Sequence, residues 1–132
     1  ALAGPQTDRL RIRAQAFSYR SGLPLDADMV FDVRWLRNPH YDLDLRPRTG
    51  KDRAVADYIR ADDAFEDFQT HLRGLLSVTA ARQQQEGKAY FTVAFGCTGG
   101  KHRSVFFAEQ AGEWLRAMGY AVSVVHRDTG RY

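Results

Sequence analysis

The chain has 132 residues, of which 44% are hydrophobic and 27% charged, and its formal net charge is +3 at pH 7. The composition suits one globular domain over residues 1–132. The net charge is far below that of a segment dedicated to nucleic-acid binding. No apolar run approaches the ~20 residues of a membrane-spanning helix, residues 1–9 lack the apolar segment of a signal peptide, and a single cysteine excludes an internal disulfide framework. We therefore expect a soluble, cytoplasmic domain without membrane contact, in which residues 1–9 are flexible.

The first half of the chain predicts two strands and a long irregular segment. Apolar and polar residues alternate over residues 10–16, which is the pattern of a strand with one wet, basic face. The polar members of that face are Arg9, Arg11, Arg13 and Gln15. A turn-rich loop over residues 19–24 leads to a second short strand over residues 29–33. The irregular segment that follows runs to residue 50, and loops of this length in small domains are often functional.

The second half predicts helices and further strands. Residues 52–60 form a short helix, and residues 63–86 form a longer one with Asp62 or Asp63 as its cap and Gly87 as its stop. The stripe that we expect to face the core consists of Phe65, Phe68, Leu72, Leu75, Leu76 and Thr79. A strand over 89–95, a helix over 103–118 and a strand over 121–126 complete a βαβ unit. The fold class is therefore α/β, a single domain with a mostly parallel sheet and flanking helices.

The loop between the strand over 89–95 and the helix from residue 103 indicates an anion site. Gly99 and Gly100 permit backbone angles that aim several N–H groups at one point, and the helix N-terminus adds unpaired donors. Basic residues follow directly, and an arginine can hold phosphate oxygens in a bidentate fork. The alternative is a tight turn whose glycines serve only packing. We expect a phosphate ligand, bound by Thr98, Gly99, Gly100, Lys101, His102, Arg103 and Ser104.

Other polar residues follow the first two strands and could converge on the same edge of the sheet. Asp32 interrupts an apolar run, so it is either buried with a partner or faces a cleft, because an unpaired buried charge is costly. His40 could hydrogen-bond a sugar hydroxyl or a phosphate, or could only anchor its loop. Arg20 follows the first strand. We count Asp32, His40 and Arg20 as candidate ligand-binding residues.

Several motifs in the same order resemble the C-terminal domain of the RapZ family of bacterial RNase adaptors. The resemblance extends from about residue 12 to residue 127 and rests on residues 25–28, 30–34, 38–42, 45–47, 49–50, 55–56, 96–104 and 126–127. It implies a fold similar to the sugar-phosphate half of phosphofructokinase and a binding site for glucosamine-6-phosphate. It also implies recognition of small RNAs, presentation of them to a ribonuclease, assembly into homo-oligomers, and regulation of cell-envelope precursor synthesis.

The resemblance also implies roles for individual residues. Thr98, Gly99 and Arg103 would hold the phosphate, and Asp32 and His40 would help to hold the amino sugar. Arg20 stands where the family usually has a basic residue. The chain departs from the family in lacking an N-terminal nucleotide-binding module with its glycine loop. Its Lys/Arg-rich tail is also reduced to residues 128–132, which removes cations that would contact RNA phosphates.

A function of another class fits the same loop. Cys97, five intervening residues and then Arg103 and Ser104 match the signature of cysteine phosphatases, in which a thiolate attacks phosphorus while N–H groups and the arginine hold the phosphate. Position 96 is Gly96 rather than the usual histidine, and no aspartate is evident as the general acid. We therefore expect a binding domain and not an enzyme, with neither a cofactor nor a metal, and keep a phosphatase using Cys97 and Arg103 as the alternative.

Overall fold

The computed structural model describes residues 9–128 and contains one sheet with helices packed on it. Residues 1–8 and 129–132, and with them most of the segment expected to be flexible, lie outside the described residues. The strands are β1 (Arg11–Ser18), β2 (Met29–Asp32), β3 (Tyr90–Cys97) and β4 (Ala121–His126). The helices are α1 (Arg53–Arg60), α2 (Phe65–Gln85) and α3 (Arg103–Ala117), with short 3₁₀ turns at Tyr19–Ser21 and Pro39–Tyr41.

The sheet has the strand order β2-β3-β1-β4, and every neighbouring pair is parallel. This confirms the α/β class and the parallel sheet. Parallel alignment brings the C-terminal ends of the strands to one edge, where Ser18 pairs with Cys97 and Asp32 pairs with Gly96. In such sheets, ligands bind beyond this edge. No helix within residues 9–128 has both the length and the apolar character that crossing a bilayer requires.

The predicted wet face of β1 is confirmed only at its start. Arg11 and Arg13 are exposed, whereas Gln15 is only 5% exposed. The prediction for Gln15 was wrong because the second half of β1 is covered on both faces, as the buried run from Ala14 to Ser18 and the packing of Tyr19 on Phe17 show. The apolar residues of β1 face the core, where α3 packs against β1, β3 and β4.

The stripe along α2 is narrower than predicted. Phe65, Leu72 and Leu76 are buried, but Leu75 is 45% exposed, so its assignment to the core was wrong. Because α2 makes few contacts outside α1 and α3, it buries a narrow face rather than a broad one. Gly87 follows the helix with a φ of 82°, as expected of a residue that stops a helix in the left-handed region.

Aromatic packing fixes α3 on the sheet. Phe107 is fully buried, and its ring centroid lies 5.0–6.1 Å from those of Phe65, Phe68, Phe95 and Phe106. Contacts of this kind add to the free energy gained by burying the rings. The N-terminus of α3 is thereby held directly beyond the end of β3.

Candidate functional site

A cleft of about 410 Å³ opens at the C-terminal edge of the sheet. Its cationic lining residues are Arg20, Arg46, Lys101 and Arg103. The other lining residues are Asn38, His40, Tyr41, Cys97, Thr98, Gly99 and His102. No carboxylate occurs among the lining residues in the described part of the chain. The charge of this cleft, together with the N-terminus of α3, favours an anionic ligand.

The structure brings most of the sequence-predicted ligand residues to this cleft. Those that line it are Arg20, His40, Thr98, Gly99, Lys101, His102 and Arg103. Gly100, Ser104 and Asp32 lie outside its lining. Each of these three has another role that the contacts make clear.

Gly100 shapes the loop against β1. Its φ is 69°, and a Cβ atom there would lie 3.0 Å from both the backbone nitrogen and the Cβ of Ser18. The hydroxyl of Ser18 donates a hydrogen bond to the carbonyl of Thr98 at 2.6 Å. A Cβ on Gly99 would instead meet nothing within 4 Å, so the backbone there is open to the cleft. Gly99 fits the expected ligand contact, whereas Gly100 permits the turn.

Arg103 is the most constrained cation of the cleft, because it is only 3% exposed. Its Nη1 atom donates to the carbonyls of Arg34 and Leu36, at 3.0 Å in the second case. Its Nε atom is buried and has no hydrogen-bond partner within residues 9–128. Burial lowers the pKa of Arg103, and the nearby Cys97 and Asp32 oppose that shift. A buried donor without a partner is costly, and an anion in the cleft would supply the missing acceptor.

His102 is a buried ring that joins the glycine loop to the segment around Arg46. The ring is 6% exposed, and its Nε2 atom lies 3.2 Å from the carbonyl oxygen of Arg46. Burial lowers the pKa of His102 below its ordinary value of 6.5. The ring ties the segment around Arg46 to the start of α3.

We expect the free energy of unfolding to fall as the pH drops below about 6.5, because His102 is harder to protonate in the folded chain than in the unfolded chain. The contribution of the neutral ring is complete above the unfolded-state pKa and is lost as the pH falls toward the lower folded-state pKa. Urea denaturation at about pH 7.5 and about pH 5.5 measures this change. A His102→Gln variant should show a smaller change, and an equal change would contradict the assignment.

Asp32 faces its own arginine rather than the cleft. Its carboxylate accepts hydrogen bonds from Arg34 at Nε (3.0 Å), at Nη2 (2.7 Å) and at the backbone N–H (2.9 Å). Hydrogen bonding by Arg34 lowers the pKa of Asp32, although burial works against this. The guanidinium of Arg34 also lies 3.7 Å from the centroid of the Tyr19 ring. The aspartate thus has a partner, but it is exposed and lies outside the cleft lining.

Cys97 and Ser104 form a buried pair behind the loop. The thiol of Cys97 lies 3.2 Å from the hydroxyl oxygen of Ser104, whose backbone N–H lies 3.4 Å from the same sulfur. A Cβ atom on Gly96 would lie 2.3 Å from Phe17 and 2.6 Å from Tyr19, so a histidine has no room before the cysteine. Within residues 9–128, the cleft lining therefore offers neither that histidine nor a carboxylate that could act as a general acid.

The segment over residues 38–50 forms the second wall of the cleft. Arg46 and Tyr41 line the cleft, although the sequence assigned them no role. Arg46 Nε donates to the carbonyl of His40 at 2.8 Å, and the N–H of Gly50 donates to the carbonyl of Lys101 at 2.9 Å. The signal that could have identified both residues is their position within the motifs over 38–42 and 45–47, which carry the family resemblance.

Metal binding has no support in the described residues. No group of three or more histidine, cysteine, aspartate or glutamate side chains within residues 9–128 could hold a metal ion. The polar groups of the cleft are mostly cations and neutral donors, which suit an anion and not a cation.

Comparison with known proteins gives a consistent match over the same residues. A family model described as the RapZ C-terminal domain matches residues 10–130. A nucleotide-binding protein of Rhodospirillum centenum is 52% identical over 122 residues, covering 92% of this chain and 37% of the relative. A nucleotide-binding protein of Frankia casuarinae is 50% identical over 131 residues, covering 99% of this chain and 45% of the relative. The chain thus spans less than half of the length of these relatives.

Proposed function

This chain belongs to the RapZ C-terminal domain family, and from that membership and the charge of its cleft we propose that it binds a small sugar phosphate. The observation that carries the proposal is the unpartnered Nε atom of the buried Arg103, beside a cleft whose charged lining residues are all cations. A phosphate dianion would give Arg103 an acceptor and would offset the charge of Lys101, Arg20 and Arg46. The loop backbone at Thr98 and Gly99 would supply N–H donors to the remaining oxygens.

The sugar would lie toward the wall over residues 38–50. Asn38, His40 and Tyr41 offer polar groups along the cleft, as recognition of sugar hydroxyls requires. We propose glucosamine-6-phosphate as the ligand because the family resemblance points to it. Asp32 would reach the ammonium group only by giving up hydrogen bonds to Arg34. Comparing the affinities for an amino sugar and its hydroxyl analogue therefore tests most directly whether Asp32 contacts the ammonium group.

We expect glucosamine-6-phosphate to raise the melting temperature of the protein by several degrees. A ligand at one hundred times its dissociation constant adds about 2.7 kcal/mol to the free energy of unfolding. Thermal shift and calorimetry should compare it with glucose-6-phosphate, fructose-6-phosphate, a UDP-sugar and inorganic phosphate. Equal affinity for the first two sugars would remove the amino group from recognition. No stabilisation by any sugar phosphate would overturn the proposed function.

Two outcomes of the same titration would redirect the assignment. The relatives are named nucleotide-binding proteins, and competition between ATP and the sugar phosphate would place nucleotide binding in this cleft. Release of inorganic phosphate that is lost in a Cys97→Ser variant would show the phosphatase alternative. Binding without turnover is the expected result.

We propose that ligand binding serves a regulatory role like that of the family. The partners would be a small RNA and a ribonuclease or another protein, and the chain would act within a homo-oligomer. Among the described residues, Arg11 and Arg13 present exposed basic side chains on β1. They offer charge but no row of aromatic side chains on which bases could stack.

We expect this chain to bind RNA weakly and mainly through charge. Each neutralised phosphate releases condensed counterions, so the affinity should fall steeply with salt and differ little between unrelated RNA sequences. A mobility-shift titration at two salt concentrations with two RNAs measures this. Tight, sequence-selective and salt-tolerant binding would contradict the expectation, and absence of binding at low salt would assign the output to protein contacts.

A further inference from the structure

The turn after β4 is connected to the loop that faces the cleft by a short path of hydrogen bonds. Asp128 is 1% exposed, and its carboxylate accepts the backbone N–H of Ser18 at 2.6 Å. Ser18 is the last residue of β1 and pairs with Cys97, the last residue of β3. A buried carboxylate is costly to hold unless hydrogen bonds compensate it, so a group at this place is expected to have a defined task.

Ser18 contacts two residues that line the cleft. Its hydroxyl donates to the carbonyl of Thr98 at 2.6 Å and accepts the backbone N–H of Arg20 at 3.2 Å. Gly100 packs directly on Ser18, with room for no side chain of its own. The position of Ser18 therefore determines where the loop and Arg20 stand relative to each other.

Arg127 reinforces the same connection. Its Nη2 atom lies 3.2 Å from the carboxylate of Asp128 and donates to the carbonyl of Gly22 at 2.6 Å. Gly22 closes the 3₁₀ turn that carries Arg20. The turn after β4 is thus tied to the 3₁₀ turn as well as to the strand end.

We propose that Asp128, acting through Ser18, is a positioning residue for the loop between β3 and α3. Asp128 thereby couples ligand binding in the cleft to the turn that follows β4. The inference rests on the proposed function of the cleft and goes beyond it. Because such coupling is reciprocal, a ligand that orders Thr98 and Arg20 also stabilises the turn at Asp128. Any interaction made by the residues that follow this turn would then depend on whether the cleft is occupied.

The test compares Asp128→Asn and Ser18→Ala with Val122→Ala, each titrated with inorganic phosphate and glucosamine-6-phosphate. Val122 lies on the same strand, β4, and is half-buried against the core, so its variant loses stability without touching Ser18. We expect the dissociation constant to rise about three- to tenfold in Asp128→Asn and in Ser18→Ala. In the double variant, the dissociation constant should rise no further than in the weaker-binding single variant, because both substitutions act on the same path of hydrogen bonds. Val122→Ala should bind as the wild type does.

A second measurement separates this proposal from the proposed function. In the ligand-free protein, Asp128→Asn should shift the amide NMR resonances of Gly99 and Gly100, whereas Val122→Ala should leave them in place. Unmoved loop resonances, or additive losses of affinity in the double variant, would overturn the positioning role. A wild-type protein that binds neither ligand would overturn the proposed function alone, because the resonances still decide whether Asp128 positions the loop.

Discussion

Replacing Arg103 by alanine should weaken sugar-phosphate binding by at least about 1.5 to 3 kcal/mol, roughly 10- to 150-fold in the dissociation constant. The guanidinium is buried, and the variant removes both the proposed phosphate contact and the positive side chain at the first residue of α3. The same change leaves the carbonyls of Arg34 and Leu36 without their donor, so the free energy of unfolding should fall as well. Calorimetry and chemical denaturation on the same samples separate the two effects.

Two further substitutions make the Arg103 result specific. Arg53→Ala removes an arginine whose side chain is 94% exposed and lies outside the cleft lining, so the affinity of this variant should match the wild type. Arg103→Lys keeps a charge but not the planar fork, and its affinity should lie between those of wild type and alanine variant. Unchanged affinity in Arg103→Ala would remove Arg103 from the site.

Gly50→Ala should be among the most destabilising single-methyl additions in the chain. A Cβ atom at this position would lie 2.2 Å from the carbonyl oxygen of His102 and 2.4 Å from the nitrogen of Phe106. Both are backbone atoms at the start of α3, so the wall over residues 38–50 must move away from the loop. Overpacking of this kind costs about 1–3 kcal/mol or more, and the displaced wall should also weaken ligand binding. Urea denaturation and ligand titration measure the two effects.

Gly74→Ala is the matched control for this substitution. Gly74 lies within α2, and a Cβ atom there would meet nothing within 4 Å. Because glycine is a poor helix former, the alanine variant should gain up to about 1 kcal/mol of stability, with no change in affinity. If Gly50→Ala were as stable as the wild type, the close contact between the wall and the start of α3 would be refuted.

The parts of the fold that could be predicted from the sequence are those encoded by neighbouring residues. The apolar run of β3, the glycines after it and the basic residues at the start of α3 are contiguous, so a strand, a glycine loop and a helix can be read in order. Gly87 likewise predicts the end of α2 because a left-handed residue is a local requirement. Leu75 was misplaced because helical spacing shows which residues share a face, but not how much of that face another element covers.

The candidate site was only partly predictable because four of the residues that line the cleft come from an irregular segment. Residues 38–50 have no period, so nothing local shows that Arg46 and Tyr41 turn toward the cleft. The pairing of Asp32 with Arg34 depends on how the chain leaves β2, and the lowered pKa of His102 depends on burial. Charge and hydrogen bonding at these positions are properties of the tertiary structure, not of the residue types.

The parallel pairing of β1 with β3 and β4 has a consequence for the order in which the protein is completed. β1 is made first, yet its partners lie far along the chain, and the contact between Ser18 and Asp128 spans 110 positions. Closing such long loops costs conformational entropy before any stabilising contact forms, and folds dominated by distant pairs form slowly. During synthesis, β1 therefore cannot complete its pairing until β4 has been made. Among the described residues, those that line the cleft extend only to Arg103, so all of them are synthesised before β4 and before Asp128, which complete the support of Ser18.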